Sequence, residues 1–315
     1  MAELKTNFPV DLHCHTVRSD GADTPKELID HAAELGMEII AITDHDVRPP
    51  ETIEVDGKQI SLKQYAAMKG VKVLPGIEVS CETTVEDCHI VCLGCDWSDP
   101  WFDQLEQDVI DSKIDGYRQL VEAMADAGLD VSWQEVLEND GNPVPEEQVQ
   151  KKMIFELMAR KGCTASWSDA KLLVKNTPAF QIQRRKPDPI DVIKNAHRCG
   201  GIAIMAHPFL TSDTMEVAGE KMDRPAYIKR LVDAGLDGME ARYAYEKTSY
   251  AGALSSEEIA AWVRDNYAGK LFISGGSDYH ADAKKGAKKV RELGECGLTM
   301  EEFNSSPVLK AIIAR

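Results

Sequence analysis

The residues of greatest chemical interest are histidines and carboxylates that lie in or just after short apolar runs. The segment VDLHCHTVRSDG places His13 and His15 two residues apart and follows them with Asp20. Six more residues occupy similar positions further along the chain: His45, Glu78, His89, His207, Asp278 and His280. Neutral imidazole and carboxylate are common ligands of divalent zinc, manganese and iron. The sequence therefore predicts a metal site, with these nine residues as candidate ligands.

The elements that carry these residues must bring them together. Alternate residues of a strand point to the same side, so His13 and His15 face together and away from Cys14. In a barrel of parallel strands the carboxyl ends gather at one face, where we expect the candidate ligands to converge. A single histidine in an apolar run is usually structural, but six in the same position favour ligation. His31 and His197 lie in amphipathic helical segments and are interpreted as structural.

The segment CHIVCLGC offers an alternative thiolate metal site through Cys88, Cys92 and Cys95. If this segment is a strand, Cys92 and Cys95 are three residues apart and point to opposite faces, which disfavours a shared metal. The chain has 8 cysteines in 315 residues, and their sparse, irregular spacing is not that of a secreted disulfide framework. We therefore expect reduced thiols.

The order of apolar and amphipathic segments indicates the fold class. Strand-like runs such as FPVDLH alternate with helical segments such as DTPKELIDHAAELG, in which Thr24 is a predicted N-cap and Gly36 a predicted stop. This is the pattern of an α/β barrel with parallel strands. Strand-like runs disappear between about residues 99 and 186. We predict one barrel from residues 1–98 and 187–315, with a helical insertion at 99–186 that covers the substrate pocket.

Charge and hydropathy restrict the partners. The chain has 36 Lys and Arg against 53 Asp and Glu, a net charge of −17, which opposes a broad electrostatic grip on nucleic acid. We expect a small phosphorylated substrate and no stable nucleic-acid complex. The amino terminus has no basic region before an apolar run, and the chain has no span of about 18 apolar residues. The expected location is the cytoplasm, without a membrane partner, and protein partners are not indicated.

Six motifs in order, HCHTVRSDG, TDHD, GIEVS, DCHIVCLG, MAHPF and GGSDYH, resemble the PHP (polymerase and histidinol phosphatase) phosphoesterases of the amidohydrolase superfamily. The resemblance runs from residue 11 to residue 280 and implies a distorted (β/α)7 barrel with three divalent metals, manganese before iron or zinc. It implies three ligand sets: His13, His15, Glu78 and Asp278; Asp20, His45 and His280; and Glu78, as a bridge, with His89 and His207. It also implies a nucleophilic, metal-bridging hydroxide held by Asp20, Asp278 and His280.

The chemistry that this resemblance implies is phosphate ester hydrolysis. Three divalent ions carry +6 against −3 from Asp20, Glu78 and Asp278, so the site attracts an anion within an acidic protein. Metal binding lowers the pKa of water and provides a nucleophile at neutral pH. We predict a metal-dependent phosphoesterase for a small phosphorylated metabolite. The preferred substrate is ribose 5-phosphate 1,2-cyclic phosphate, cleaved as a diester and then as a monoester to ribose 5-phosphate and phosphate.

Two alternative functions stay open. One is a nucleoside 3′,5′-bisphosphate 3′-phosphatase or a 5′-3′ exonuclease on short RNA. Nucleotide phosphatases of the family usually carry Arg and His near the start of the inserted helix, where this chain has Lys151, Lys152 and Met153. The other is a non-catalytic, metal-stabilised module. Such modules lose ligands, whereas all nine positions are filled here.

Four arginines are candidates for binding a second phosphate of the substrate, because a guanidinium matches phosphate oxygens. They are Arg18, Arg184, Arg185 and Arg242. The glycines of GGSDYH lack the lysine and spacing of a nucleotide-binding loop. They are interpreted as letting the backbone pass close to the metals.

Overall fold

Seven of the strands form one central sheet. The computed structural model describes residues 3–82 and 84–314. The strands in this part of the chain are β1 (Val10–Asp11), β2 (Ile39–Ile42), β3 (Thr52–Val55), β4 (Lys58–Ser61), β5 (Lys72–Ser80), β6 (His89–Leu93), β7 (Ile202–Met205), β8 (Thr214–Val217), β9 (Glu220–Asp223), β10 (Gly238–Arg242) and β11 (Phe272–Gly275). The sheet order is β1-β2-β5-β6-β7-β10-β11. Strands β2 and β7 are buried at every position, as expected where helices cover a sheet.

The direction of one strand differs from the sequence-based expectation. Strand β6 runs antiparallel to both β5 and β7, whereas the other four pairings of the sheet are parallel. The expectation of a wholly parallel sheet is therefore wrong at β6. Its first residue, His89, pairs with Ser80 at the end of β5. An antiparallel strand thus brings its amino end to the edge where its parallel neighbours end.

The two outer strands of the sheet approach each other. The Leu12 N–H donates to the Gly275 carbonyl at 3.4 Å, and Cys14 forms a parallel bridge with Tyr279. The sheet is therefore a nearly closed, seven-stranded barrel of mixed α/β type, which confirms the predicted fold class. Because closure joins the segments after β1 and β11, it places the first and last motifs of the sequence side by side.

The α-helices of the described residues are α1 (Pro25–Glu34), α2 (Leu62–Met68), α3 (Pro100–Asp126), α4 (Trp133–Glu138), α5 (Lys151–Arg160), α6 (Trp167–Asn176), α7 (Pro189–Arg198), α8 (Arg224–Asp233), α9 (Ser256–Tyr267), α10 (Met300–Ser305) and α11 (Pro307–Ile313). The predicted cap of α1 is confirmed. The Thr24 side chain accepts the Glu27 N–H at 3.2 Å, and the Glu27 carboxylate accepts the Thr24 N–H at 2.8 Å. Gly36 follows the helix with a φ of 74°, which suits a helix stop.

Two antiparallel hairpins lie outside the barrel sheet, and neither is among the strands predicted from the sequence. Strands β3 and β4 form the first hairpin, and β8 and β9 form the second. The first hairpin turns at Asp56 and Gly57, which both have positive φ. This is the backbone of the two-residue turns that Asp-Gly favours. The long segment after TDHD therefore contains a hairpin before α2.

The chain forms two compact units. One consists of residues 1–103 and 187–315, and the other of residues 104–186. The second unit is helical and has its own apolar core, which includes Leu120, Met124, Ile154 and Met158. The role of this segment as a cover for the substrate pocket stays a prediction. No helix in the described part of the chain is long and apolar enough to cross a membrane.

Candidate metal centre

The alternation after β1 points two histidines toward the same cluster. His13 and His15 are buried, and both place Nε2 3.1 Å from Oε2 of Glu78. Leu12 and Cys14, the residues that alternate with them, lie in two apolar clusters of the barrel unit. The two-residue spacing therefore serves both the site and the core, as predicted from strand geometry.

The carboxylate of Glu78 is the centre of the cluster. Five ring nitrogens lie within 3.1 Å of its two oxygens: His13 Nε2, His15 Nε2 and His45 Nδ1 at Oε2, and His89 Nδ1 and His207 Nε2 at Oε1. Its side chain is fully buried in β5. One carboxylate thus joins five histidines that four separate segments of the barrel supply.

Asp278 and Asp20 extend this cluster. Oδ1 of Asp278 lies 3.0 Å from His15 Nε2 and 3.4 Å from His280 Nδ1. Oδ1 of Asp20 lies 2.9 Å from His280 Nε2. The Asp20 side chain is 57% exposed, whereas that of Asp278 is only 9% exposed. The cluster is therefore buried at Asp278 and open to solvent at Asp20.

Three groups of these residues have ligand atoms close enough together to hold a metal ion, within 4.8 Å of one another: His13, His15, Glu78 and Asp278; His15, Asp20, His45 and His280; and His45, Glu78 and His89. His207 belongs to none of the three but contacts Glu78 Oε1 at 3.0 Å. No cysteine enters a group among residues 3–82 and 84–314. The eight cysteines are all free thiols.

The polar atoms of the cluster fit a cation better than they fit one another. His13 Nε2, His15 Nε2, His45 Nδ1 and Glu78 Oε2 are buried and have no hydrogen-bond partner with acceptable geometry among the described residues. Buried polar atoms without partners are costly, and natural proteins rarely keep them without a reason. Imidazole and carboxylate are suitable donors for a divalent transition metal. These residues therefore fit such an ion.

Burial and charge act in opposite directions on ionisation in the cluster. Burial raises the pKa of Glu78 and of Asp278, but the surrounding histidines hold the pKa of each carboxyl well below its usual value. Burial lowers the pKa of His13, but the carboxylates of Glu78, Glu240 and Asp278 hold it well above its usual value. Both carboxylates are therefore ionised at neutral pH, as metal ligation requires.

The backbone is strained at two of the candidate ligands. His207 and Asp278 have φ values of 26° and 53°, in a region that residues with a side chain rarely adopt. Such strain is concentrated at functional sites. Nearby, a Cβ added to Gly276 would lie 2.3 Å from Cβ of His13. Glycine there lets two backbone segments of the site approach closely, which agrees with the interpretation of GGSDYH.

Sequence reasoning missed three residues that hold the candidate ligands in place. Glu240, 1% exposed, lies 2.9 Å from Nδ1 of His13 and accepts the His207 N–H at 2.7 Å. Tyr243 and Arg291 both donate to Oδ2 of Asp278. A buried glutamate in the apolar strand GMEAR was a usable signal for Glu240. Nothing local marks Tyr243 or Arg291.

The four candidate substrate arginines have different surroundings. Arg18 is exposed, and its Nη2 donates to the Arg48 carbonyl at 3.0 Å. Arg185 is 77% exposed and lies 3.2 Å from Asp115. Arg242 is held by both oxygens of Glu302 at 2.6 and 2.8 Å. Glu302 occupies these donors of Arg242 in the structure, and a role of Arg242 in phosphate binding stays a prediction.

Arg184 lies in a group of basic side chains within residues 104–186. Burial lowers the pKa of Lys113 and of Lys151, and the positive charge of Arg184 lowers both further. No carboxylate partner of Arg184 occurs among the residues that the structure describes. Basic groups that repel one another are stabilised by an anion. These basic surroundings make Arg184 a suitable candidate for phosphate binding.

His31 and His197 have structural partners outside the cluster. Nε2 of His31 lies 2.8 Å from Glu292, and Nε2 of His197 lies 2.7 Å from Asp237. Neither histidine enters a metal-holding group of the described residues. Substitutions of His31 and His197 can therefore serve as controls for substitutions of the histidines of the site.

Stability from the His31–Glu292 pair is expected to depend on pH. Hydrogen bonding to Glu292 raises the pKa of His31, so its contribution is full below the unfolded pKa of about 6.5 and is lost as pH rises through the folded value. Hydrogen bonding to His31 lowers the pKa of Glu292, so that contribution disappears in acid. Urea unfolding of His31→Ala should show a loss of under about 1 kcal/mol near pH 5.5 and almost none near pH 9. Equal losses at both pH values would contradict this.

Comparisons with known proteins identify the family and several relatives of this chain. The PHP domain model matches residues 11–194. A 3′,5′-nucleoside bisphosphate phosphatase from Chromobacterium violaceum is 25% identical over 282 residues, covering 88% of this chain and 89% of its own length. A 5′-3′ exoribonuclease Rnm from Salmonella typhimurium is 28% identical over 288 residues, with 87% of each protein covered. A phosphoribosyl 1,2-cyclic phosphate 1,2-diphosphodiesterase from Eggerthella lenta is 26% identical over 273 residues, covering 86% of this chain and 93% of its own length.

Solved structures show the same fold. An amidohydrolase from Chromobacterium violaceum matches with a TM-score of 0.61 at 23% identity and covers 96% of both chains. A metal-dependent phosphoesterase from Bifidobacterium adolescentis, described as putative, also has a TM-score of 0.61, at 21% identity over 94% of both chains. At these identities the likeness bears on the fold alone.

The family model and the relatives define a phosphoesterase, a hydrolase of phosphate esters, and the histidine and carboxylate groups of the site fit divalent metal ions. Because the matched residues 11–194 make up more than half of the chain, this protein belongs to the PHP domain family. The match ends before His207, Asp278 and His280. The place of these three residues in the site therefore rests on the structure.

Proposed function

We propose that the nine candidate ligands hold three divalent metal ions, with manganese preferred. The observation that carries this proposal is the convergence of five imidazole nitrogens within 3.1 Å of the Glu78 carboxylate. The three ligand sets are His13, His15, Glu78 and Asp278; Asp20, His45 and His280; and Glu78, His89 and His207. The first set is itself one of the metal-holding groups, and the second lies within another. His207 joins the third through its contact with Glu78.

Divalent ions bound here would activate water for attack and neutralise charge on phosphoryl oxygens. The buried carboxylates of Glu78 and Asp278 supply fixed negative charge to hold them. Asp20 and His45 have side chains that are 57% and 25% exposed, so we infer that substrate approaches from this side. Asp20, Asp278 and His280 are assigned to positioning the attacking water.

For the substrate, we propose ribose 5-phosphate 1,2-cyclic phosphate, opened to a monoester and then hydrolysed to ribose 5-phosphate. Similarity to the Eggerthella lenta diphosphodiesterase over most of both chains supports this choice. A comparable similarity to the bisphosphate phosphatase supports the alternative, removal of a 3′-phosphate from a nucleoside bisphosphate. Lys151, Lys152 and Met153 at the start of α5 favour the ribose substrate, because the Arg and His expected of a nucleotide phosphatase are absent from this position.

Arg18 and one of Arg184 or Arg185 are proposed to bind the 5-phosphate. Arg18 lies in the loop between His15 and Asp20, beside the cluster. Arg184 is surrounded by basic groups that an anion would stabilise. Two arginines suffice for one phosphate, since each guanidinium can donate to two oxygens.

Metal content tests the assignment of nine ligands. After reconstitution with excess manganese, elemental analysis should approach three ions per chain, because three sets of donors are present. The matched control is Cys88→Ser, which alters a buried residue next to His89 without changing a proposed ligand. A stable value of at most one ion per chain in a fully active protein would contradict the assignment.

A further inference from the structure

The two oxygens of Asp278 have different surroundings. Oδ1 faces the histidine cluster, 3.0 Å from His15 Nε2 and 3.4 Å from His280 Nδ1. Oδ2 accepts hydrogen bonds from the Tyr243 hydroxyl at 2.7 Å and from Arg291 Nη1 at 2.5 Å. The carboxylate is thus divided between a side that faces the proposed metals and a side that is held by protein.

Arg291 is itself fixed by a second carboxylate. Its Nε donates to Oδ2 of Asp282 at 2.9 Å, and its backbone N–H donates to the same oxygen at 3.2 Å. The side chains of Arg291 and Asp282 are only 15% and 7% exposed. A guanidinium is planar and rigid, so anchoring one edge on Asp282 fixes the direction of Nη1 toward Asp278. A lysine at this position would keep the charge but could not reproduce both contacts.

Tyr243 makes the second contact from a different part of the chain. It follows β10, is 1% exposed, and packs against the His207 ring with centroids 5.1 Å apart. Its hydroxyl therefore has a fixed direction. Two donors from distant parts of the chain meet on Oδ2, which leaves Oδ1 as the oxygen of Asp278 that faces the histidine cluster.

We propose that Arg291 and Tyr243 are positioning residues that hold Oδ2 of Asp278, so that this carboxylate offers only Oδ1 to the metals. The inference rests on the proposed function, because it assigns these residues a role toward metals that Asp278 would bind. Groups that orient a metal ligand typically change metal affinity or activity by about 10- to 100-fold when they are replaced. Neither residue is expected to contact the substrate.

The test compares Arg291→Lys, Tyr243→Phe and the double variant with the wild type. Manganese affinity is measured by competition with a chromophoric chelator, and folding is checked by thermal unfolding of the chelated proteins. Each single variant should bind the weakest-held ion about 10-fold less tightly. Because both donors act on Oδ2, the double variant should lose less than the product of the two single effects. In steady-state kinetics, kcat should fall while KM changes little.

Arg224→Lys is the matched control. Arg224 is similarly buried and ion-paired, with its side chain 10% exposed and Nη2 2.6 Å from Asp213, but it contacts no candidate ligand. The control should keep wild-type manganese affinity. Affinities of Arg291→Lys and Tyr243→Phe within twofold of the wild type would overturn the inference, as would an equal loss in Arg224→Lys. If Arg291→Lys does not fold, Tyr243→Phe decides the matter. Absence of manganese binding by the wild type would instead contradict the proposed function.

Discussion

Replacing His280 by alanine is expected to lower kcat by on the order of 1000-fold, about 4 kcal/mol of transition-state stabilisation. His280 contacts Asp20 through Nε2 at 2.9 Å and lies 3.4 Å from Asp278 through Nδ1. Its loss would remove a proposed ligand at the solvent-facing end of the cluster. Asp20→Ala should have a similar effect. Phosphate release under saturating substrate and manganese measures the loss.

The matched control for this prediction is His197→Ala. His197 also pairs with an aspartate, at 2.7 Å, but it lies on α7 outside the metal-holding groups. The control should keep nearly all of the wild-type kcat. Should a folded His197→Ala variant prove as inactive as His280→Ala, the assignment of histidines by their position at strand ends would be wrong.

The second large effect concerns the substrate. A ribose cyclic phosphate with a 5-phosphate is expected to show a kcat/KM about 100-fold higher than the same ring without it, which is about 2.7 kcal/mol. The reason is that a remote phosphate held by arginine positions the reacting ester, and this binding energy appears in the chemical step. Steady-state kinetics of the two compounds measure the difference.

Arginine variants identify the residue responsible. Arg18→Ala and one of Arg184→Ala or Arg185→Ala should erase most of the 100-fold preference and spare the smaller substrate. Arg264→Ala, an exposed arginine of α9, is the control and should keep the preference. Equal rates on both compounds, or a marked preference for adenosine 3′,5′-bisphosphate, would support the nucleotide phosphatase instead.

Much of the barrel could be predicted because its signals are local. Alternation after β1 separates His13 and His15 from Cys14, and the Thr24 capping box defines the start of α1. These patterns depend on neighbours a few residues away. The sequence also predicts that the candidate ligands lie close together, since barrel closure brings strand ends to one edge.

Other features could not be predicted because they depend on distant partners. The direction of β6 is set by its pairing with β5 and β7. The hydrophobic pattern of a short apolar run such as HIVCL does not indicate whether the strand is parallel or antiparallel. Arg291 is 13 residues from Asp278 in sequence, and Tyr243 is 35 residues away. The hairpin turn at Asp56 and Gly57, by contrast, has a local signal in its Asp-Gly pair.

The proposed activity is hydrolysis of phosphate esters with metals held around Glu78. The most direct measurement is phosphate release from ribose 5-phosphate 1,2-cyclic phosphate by the wild type, before chelation, after chelation and after manganese is restored. Release should stop on chelation, return with manganese, and stay near background in Glu78→Gln under all three conditions. Release that continues at the full rate in the metal-free protein, or that is unchanged in Glu78→Gln, would contradict it.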